Sequence, residues 1–179
     1  GWAVNLSVLG HIAWAAMGTR KLMHRLGANE AGAVIAAVVF AFSGFMTTHI
    51  GYLGMQNASA WLPWLVWATV GGRWGPIGLC AAMMMVAGHP QIAAVGLLGA
   101  SAVAVWCGHM RGWVMGMVLA TLAASPQILA TAELISQSVR AGGMSGVMAR
   151  TGAMPPQELV STVLPSFFGF ERPADMVQS

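Results

Sequence analysis

The chain has 179 residues, of which 57% are hydrophobic and only 7% are charged. Since about a quarter of the residues in an ordinary globular protein are charged, the composition argues against a water-soluble fold. Residues 31–72 and 74–110 contain no Asp, Glu, Lys or Arg. Each stretch is long enough for roughly two bilayer crossings of about 20 residues. The composition therefore predicts a polytopic membrane protein.

The charge distribution and the cysteine content further limit the kinds of partner and chemistry that the chain can have. The formal net charge of +3 comes from eight basic residues spread along the chain, without the clustering that nucleic-acid binding needs, so no nucleic-acid partner is predicted. The two cysteines, Cys80 and Cys107, lie in apolar stretches without a CxxC motif and are expected to be small buried residues. The chain enters an apolar segment directly at Gly1, so we expect an internal or processed section of a longer protein.

Six membrane elements follow in chain order, at about 2–18, 31–47, 58–71, 76–88, 91–108 and 112–132. Residues 1–132 are thus expected to form an all-α transmembrane bundle. Pro63 is expected to begin or kink the third element and Pro126 to kink the last. Residues 49–59 read as a turn region. The indoles of Trp61, Trp64 and Trp67 read as an interfacial anchor.

From residue 133 onward the composition changes. Residues 133–179 hold four of the five acidic groups, and 155–164 read as a short amphipathic helix that packs on the bundle or lies at the interface. We therefore expect 133–179 to lie outside the hydrocarbon as an amphipathic region.

The basic residues predict the orientation. Five of them, Arg20, Lys21, Arg25, Arg73 and Arg111, fall on one side of the alternating topology, whereas the short loops on the other side, 49–59 and 88–91, have no Lys or Arg. The positive-inside rule places the five in the cytoplasm. The N-terminus and residues 133–179 then face the exterior or periplasm.

The same topology gathers polar residues on the outer side: His49, Gln56, Asn57, His89, Gln91, Glu133, Gln137 and Arg140. Polar groups near a membrane often mark a substrate path, so this set holds the candidate site. A helix-end role for His49 and a turn role for His89 remain open alternatives.

Glu133, Gln137 and Arg140 are predicted to form one polar stripe along a helix, since they recur at helical spacing. The planar fork of Arg140 suits a lipid phosphate, and a solvated interfacial helix is the alternative. His49, His89 and Glu133 come from separate segments without a local metal-binding motif, so no metal site is predicted.

Several segments together resemble bacterial YfhO-type membrane proteins, in this order: Asn5, Arg20, Arg25-Leu26-Gly27, Ala41-Phe42-Ser43-Gly44-Phe45, Ala60-Trp61-Leu62-Pro63-Trp64, Gly88-His89-Pro90-Gln91, Pro126 through Glu133 to Arg140, and Leu164-Pro165-Ser166-Phe167-Phe168-Gly169. That family is similar to the GT-C glycosyltransferases, which transfer sugars from polyprenyl-phosphate donors on the extracytoplasmic side. The resemblance implies a longer parent protein whose catalytic acidic loop precedes this chain, so no catalytic residue is carried over.

The resemblance therefore implies a part of a machine that handles polyprenyl-phosphate-linked sugars for cell-envelope glycosylation, with membrane lipids as partners. His89, Glu133, Arg140 and His49 would be the substrate-binding residues, and Arg140 would contact the lipid phosphate. The alternative is a non-catalytic subunit that packs against a larger membrane complex, which 14 methionines, eight tryptophans and many small residues also fit. Whether the chain is itself an enzyme stays open at this point.

Overall fold

The computed structural model describes residues 1–137, 160 and 164 of the chain. Within residues 1–137 the regular secondary structure is entirely helical, which confirms the predicted all-α class. The helices are α1 (Trp2–Arg25), α2 (Glu30–Ala41), α3 (Gly44–Thr48), α4 (Leu53–Ala60), α5 (Leu62–Val70), α6 (Trp74–Val86), α7 (Pro90–Trp106) and α8 (Met110–Ser136).

The chain divides into two compact units, Gly1–Thr131 and Ala132–Ser179. In the second unit only 132–137, Val160 and Leu164 are described. Arg140 and the rest of the short helix predicted at 155–164 lie outside the described residues.

Two of the expected membrane elements are each broken into two helices. Between α2 and α3, the Ser43 side chain accepts a hydrogen bond from the backbone N–H of Met46 and so caps a new helix. Between α4 and α5, the chain bends at Trp61, and Pro63 lies in the first turn of α5, where its missing N–H costs nothing. Pro63 thus begins a helix, as one of the two predicted options had it.

The predicted turn region at 49–59 is wrong in its second half, because α4 already begins at Leu53. A Cβ on Gly54 would lie 3.2 Å from the carbonyl oxygen of Ala87, so α4 packs closely against the end of α6. This tertiary packing outweighs the weak helix propensity of a segment with several polar residues and a glycine.

Small side chains fill the inside of the bundle. The buried positions of α2, α7 and α8 are Ala33, Ala37, Ala41, Ala93, Gly96, Ala100, Ala104, Trp113, Gly116, Ala120 and Ala124. Many large apolar side chains point outward instead, and Leu98, Trp106 and Leu129 are 71%, 91% and 69% exposed. In a water-soluble protein the large apolar residues are the ones most often buried.

The small residues allow the backbones of α6 and α8 to approach closely. A Cβ on Gly78 would lie 2.9 Å from the carbonyl oxygen of Gly116, and a Cβ on Gly116 would lie 2.6 Å from Cγ2 of Ile77. Such small-residue contacts are typical of helices that associate in lipid.

The indoles predicted to be an interfacial anchor instead join α5 to α1. Trp64 is buried, its ring stacks on Trp14 with centroids 4.4 Å apart, and its Nε1–H donates to the Trp14 carbonyl at 2.9 Å. Trp61 meets the Trp14 ring edge-on at 5.2 Å. Because these indoles contact one another and the Trp64 N–H has a hydrogen-bond partner, they gain more contact inside than they would at the bundle surface.

Two segments of the described chain are long and apolar enough to cross a membrane, Glu30–Thr48 with 19 residues and Met110–Ser136 with 27 residues. Trp74–Val86 and Pro90–Trp106 are shorter apolar helices. Six membrane-crossing elements were expected, so fewer of them than expected are long and apolar enough to cross a membrane. Pro126 lies within α8, which continues through it.

Candidate functional site

The turns between helices alternate between two ends of the bundle. We call the end with the turns 26–29, 71–73 and 107–109 the basic end, and the end with the turns 49–52 and 87–89 the opposite end. All five Lys and Arg residues of the described chain lie at the basic end: Arg20, Lys21, Arg25, Arg73 and Arg111.

An apolar cavity of about 590 Å³ lies between α2–α3, α4–α5 and α7, and we call it the lateral groove. Its lining includes Phe40, Phe45, Leu62, Met84, Ile92 and Val103. Along α7 it runs from Ile92 to Val103, a distance of about 17 Å at the helical rise of 1.5 Å per residue. A second cavity of about 470 Å³ shares Phe40 and Leu62 with the groove and extends to Leu22 of α1.

The two hydroxyl groups that line the groove are already engaged within their own helices. Ser43 accepts from the N–H of Met46, and Ser59 donates to the carbonyl of Met55 at 2.8 Å. The groove therefore offers an apolar surface along its length, which suits a hydrocarbon chain better than a polar ligand.

His49 contacts a residue of the groove lining, Phe45, at the opposite end. Its ring stacks on Phe45 with centroids 4.4 Å apart, and its Nδ1 lies 2.8 Å from the Phe45 carbonyl oxygen. A carbonyl can only accept, so Nδ1 carries the proton and Nε2 of the neutral ring is left as an acceptor. The helix-end role considered for His49 is thus present alongside its place at the groove.

His89 contacts a second residue of the groove lining, Ile92, at the same end. As the N-cap of α7, its Nδ1 accepts from the backbone N–H of Ile92 at 3.4 Å. A nitrogen that accepts is unprotonated, so the neutral ring carries its proton on Nε2. The two histidines therefore present opposite chemistry, an Nε2 acceptor at His49 and an Nε2–H donor at His89.

Glu133 belongs to the second unit. Its carboxylate accepts from Nε2 of Gln137 at 3.5 Å, one helical turn away, so these two residues form the predicted polar stripe. Arg140, the third predicted member of the stripe, lies outside the described residues.

Two polar residues that were predicted to lie in an outer loop are instead helical and largely inside. Gln56 is fully buried, and neither its amide oxygen nor its nitrogen has a hydrogen-bond partner among the described residues. The buried Oδ1 of Asn57 has none either. Gln56 lies one turn before Ala60, which packs with Ala15 and Met46, and this helical spacing is the signal that could have revealed its burial.

His11 was not predicted as a site residue, yet it borders a cleft of about 440 Å³ between α1 and Trp61. Its Nδ1 lies 2.8 Å from the Ser7 carbonyl, so Nε2 of the neutral ring is an acceptor. The sequence signal was present, because His11 is the only ionisable side chain between Trp2 and Thr19. An ionisable group within an apolar segment indicates a functional position by default.

The described residues contain no group of three or more His, Cys, Asp or Glu side chains that could hold a metal ion. Cys80 is buried and Cys107 partly buried, and both are free thiols.

Comparisons of the chain with protein-family profiles, with curated proteins and with solved structures find no match. Membership of a YfhO-type family therefore stays a prediction from the ordered sequence motifs. The lateral groove and the two histidines beside it are the observations from which a function can be inferred.

Proposed function

We propose that the chain is a multi-pass membrane protein that holds the hydrocarbon chain of a lipid substrate in the lateral groove, with the polar headgroup at His49 and His89. The observation that carries this proposal is an apolar groove about 17 Å long in which two lining residues at the same end, Phe45 and Ile92, contact His49 and His89. This arrangement matches a ligand that is apolar along its length and polar at one end.

The distribution of side chains supports a membrane environment. The protein itself buries few of the residues in its two long apolar segments. In an apolar 18-residue stretch of each, the buried share is only 22% in Glu30–Thr48 and 17% in Met110–Ser136. The core helix of a soluble protein would be mostly covered. Lipid would cover the apolar surface that the bundle leaves exposed. Removing that surface from water stabilises the protein by roughly 25 cal/mol per Å².

We propose that the shorter helices, α6 and α7, lie in the same hydrocarbon layer as the longer segments, because they pack beside them. The 13 residues of α6 span about 20 Å and the 17 of α7 about 25 Å, less than a hydrocarbon core of about 30 Å. A bilayer can thin locally around short helices at modest cost. Together α1, α2–α3, α4–α5, α6, α7 and α8 would make six membrane elements.

The charge distribution supports one orientation. The basic end would face the cytoplasm, because short cytoplasmic loops carry an excess of Lys and Arg. His49, His89 and residues 133–179 would then face the outside of a bacterial inner membrane.

The proposed substrate class is a polyprenyl-phosphate-linked sugar, following the YfhO-type resemblance. An isoprenoid chain fits the apolar groove, and the Nε2–H of His89 and the Nε2 acceptor of His49 can bond headgroup oxygens and hydroxyls. Glu133 and Arg140 stay substrate-binding predictions that the resemblance implies, with the guanidinium fork of Arg140 suited to a phosphate. Such a protein would serve the assembly of cell-envelope glycans.

The experiment fills the groove without disturbing the bundle. Gly99 lines the groove and a Cβ there would meet nothing within 4 Å, whereas Gly75 is equally open but lies outside the groove. We expect Gly99→Phe to lower binding of a fluorescent polyprenyl phosphate in detergent at least about tenfold, and Gly75→Phe to leave it unchanged. Equal binding by both variants would contradict the lipid site.

A second function is favoured by the small residues in the groove wall. Gly96, Gly99 and Ala100 on α7 would also allow the close approach of a helix from another subunit. The chain would then be a structural subunit of a larger membrane complex. In that case Gly99→Phe would release a co-purifying membrane subunit that wild type and Gly75→Phe retain. Neither variant would bind the polyprenyl phosphate.

A further inference from the structure

Three helices are tied together around the turn 71–73 at the basic end. Nη1 of Arg25, at the end of α1, donates to the Trp67 carbonyl at 2.6 Å, and the guanidinium lies over the Trp67 ring, 4.2 Å from its centroid. Nδ1 of His109, just before α8, lies 3.1 Å from the Thr69 carbonyl, which it satisfies as a donor. These contacts bring the end of α1 and the start of α8 to the end of α5.

Three arginines therefore meet around one short turn, and we call Arg25, Arg73 and Arg111 the arginine cluster. A Cβ on Gly71 would meet Arg25, and a Cβ on Gly112, next to Arg111, would meet the Gly72 carbonyl. Arg73 is part of the turn itself. Both Arg73 and Arg111 are exposed, so their guanidinium groups are accessible from the surface.

The cluster has no carboxylate partner in the part of the chain that the structure describes. Both ion pairs there involve Glu30, which lies 2.7 Å from Arg20 and 2.9 Å from His24. Three guanidinium charges are thus left without a neutralising acid. Because the three positions lie around one turn and share a positive charge, a bound anion would stabilise the arrangement.

Tryptophans place the cluster at the level of lipid headgroups. Trp74 opens α6 and is 50% exposed, and Trp106 closes α7 and is 91% exposed. Exposed indoles favour the membrane interface, where the apolar ring meets lipid and the N–H meets water or headgroup oxygens. The accessible anion at this level is the phosphate of a phospholipid.

We propose that the arginine cluster is a specific binding site for the phosphate headgroup of an anionic phospholipid in the cytoplasmic leaflet. The planar guanidinium fork matches phosphate oxygens, and basic pockets between membrane helices on this side bind such headgroups. The first turn of α6, which starts beside Arg73 without an acidic residue, adds a partial positive charge. The proposal rests on the orientation given under the proposed function and concerns the end of the bundle away from His49 and His89.

The test is native mass spectrometry of the full chain purified with added phosphatidylglycerol or phosphatidylcholine. We expect wild type to retain phosphatidylglycerol, and Arg73→Gln/Arg111→Gln to retain it about tenfold less, since basic residues near an anionic surface each contribute to binding. The matched control is Arg20→Gln/Lys21→Gln, which removes two charges from the same end but outside the cluster. It should lower retention less than about twofold.

Folding of the variants is followed separately by thermal unfolding. In phosphatidylcholine alone the cluster variant should melt like wild type, because neither exposed side chain has a described contact. Added phosphatidylglycerol should raise the melting temperature of wild type and of the control but not of the cluster variant, since a ligand of the folded state stabilises it.

Three results would overturn the proposal. An equal loss of phosphatidylglycerol in the cluster and control variants would mean that lipid binding depends only on the total charge at this end. Equal retention of phosphatidylcholine would remove the role of anionic charge, and displacement by inorganic phosphate would identify a site for the free anion. If instead the lipid preference holds but labelling places the basic end outside the cell, the orientation fails and the headgroup site remains.

Discussion

The two ends of the bundle use their polar side chains differently. At the basic end, polar side chains connect separate helices: Arg25 of α1 bonds the Trp67 carbonyl of α5, and His109 bonds the Thr69 carbonyl. At the opposite end, the hydrogen bonds that His49 and His89 form with other described residues stay within their own turns. The basic end is therefore cross-linked by its polar groups, and the opposite end leaves one nitrogen of each imidazole available to a ligand.

The comparison carries a general lesson about where such a protein can place a site. Interhelical hydrogen bonds connect the helices at the basic end. The Gln56 amide, on the half of the molecule nearer the opposite end, is buried and has no hydrogen-bond partner among the described residues. An unpaired buried amide costs stability, roughly 1–3 kcal/mol. Natural proteins tend to retain such costs at functional positions.

The largest expected effect compares two glycines in left-handed turns. Gly72, at the basic end, has φ of 68° and Gly88, at the opposite end, has φ of 86°. A Cβ on Gly72 would lie 2.9 Å from the His109 ring, whereas a Cβ on Gly88 would meet nothing within 4 Å. We expect Gly72→Ala to cost about 3 kcal/mol, from the backbone and the overlap with the ring together.

Gly88→Ala is the matched control and should cost only the backbone strain, about 1 kcal/mol. Both values would be measured by chemical unfolding in one detergent. Equal losses at the two positions would show that the contact of His109 with the turn does not constrain the basic end.

The next effect removes a cross-link. Arg25→Gln should cost about 2 kcal/mol, because it loses a charged hydrogen bond to Trp67 and the cation–π contact with its ring. Arg111→Gln, an exposed position without a described contact, should change stability by less than about 0.5 kcal/mol in zwitterionic detergent. A loss at Arg111 as large as that at Arg25 would contradict the cross-link.

A third change should stabilise the protein. Gln56→Met replaces a fully buried amide, which has no partner in the described part of the chain, with an apolar side chain of similar size, so we expect a gain of about 1 kcal/mol in unfolding free energy. Gln91→Met, at an exposed position, is the control and should be neutral. A loss of stability in Gln56→Met would mean that the amide has a partner the described residues do not reveal.

The smallest effect separates the two roles of His89. His89→Ala removes the N-cap of α7 and should cost about 0.5 kcal/mol, whereas His89→Asn keeps a capping side chain and should restore that stability. Binding of the labelled polyprenyl phosphate should fall in both variants, because both lose the Nε2–H donor. Full binding by His89→Asn would limit His89 to its structural role.

Much of the helical framework could be predicted from the sequence. Long uncharged apolar runs interrupted by glycine place most of the main helices within about five residues, but the predicted first element ends at 18 whereas α1 continues through the basic run to Arg25. Gly72 and Gly88 end helices with the positive φ that glycine permits. The breaks at Ser43 and Trp61 follow from a capping serine and from a proline at the start of the next helix.

The arrangement of the site could not be predicted in the same way. The lateral groove is formed by residues from four parts of the chain, and no local pattern announces that they meet. Trp64 was expected at the interface, but its burial depends on Trp14, fifty positions earlier. Periodicity identifies which residues share a helix face, and only the packing of the helices decides what that face meets.

The measurement that tests the account most directly is the accessibility of single cysteines at the two ends. In a chain with Cys80→Ala and Cys107→Ala, one cysteine would replace Leu26 in the turn 26–29 or Gly51 in the turn 49–52, both exposed positions. In intact cells a membrane-impermeant maleimide should label Gly51→Cys, and it should label Leu26→Cys only after permeabilisation. Labelling of both positions under the same condition would contradict a bundle that spans the membrane with its basic end in the cytoplasm.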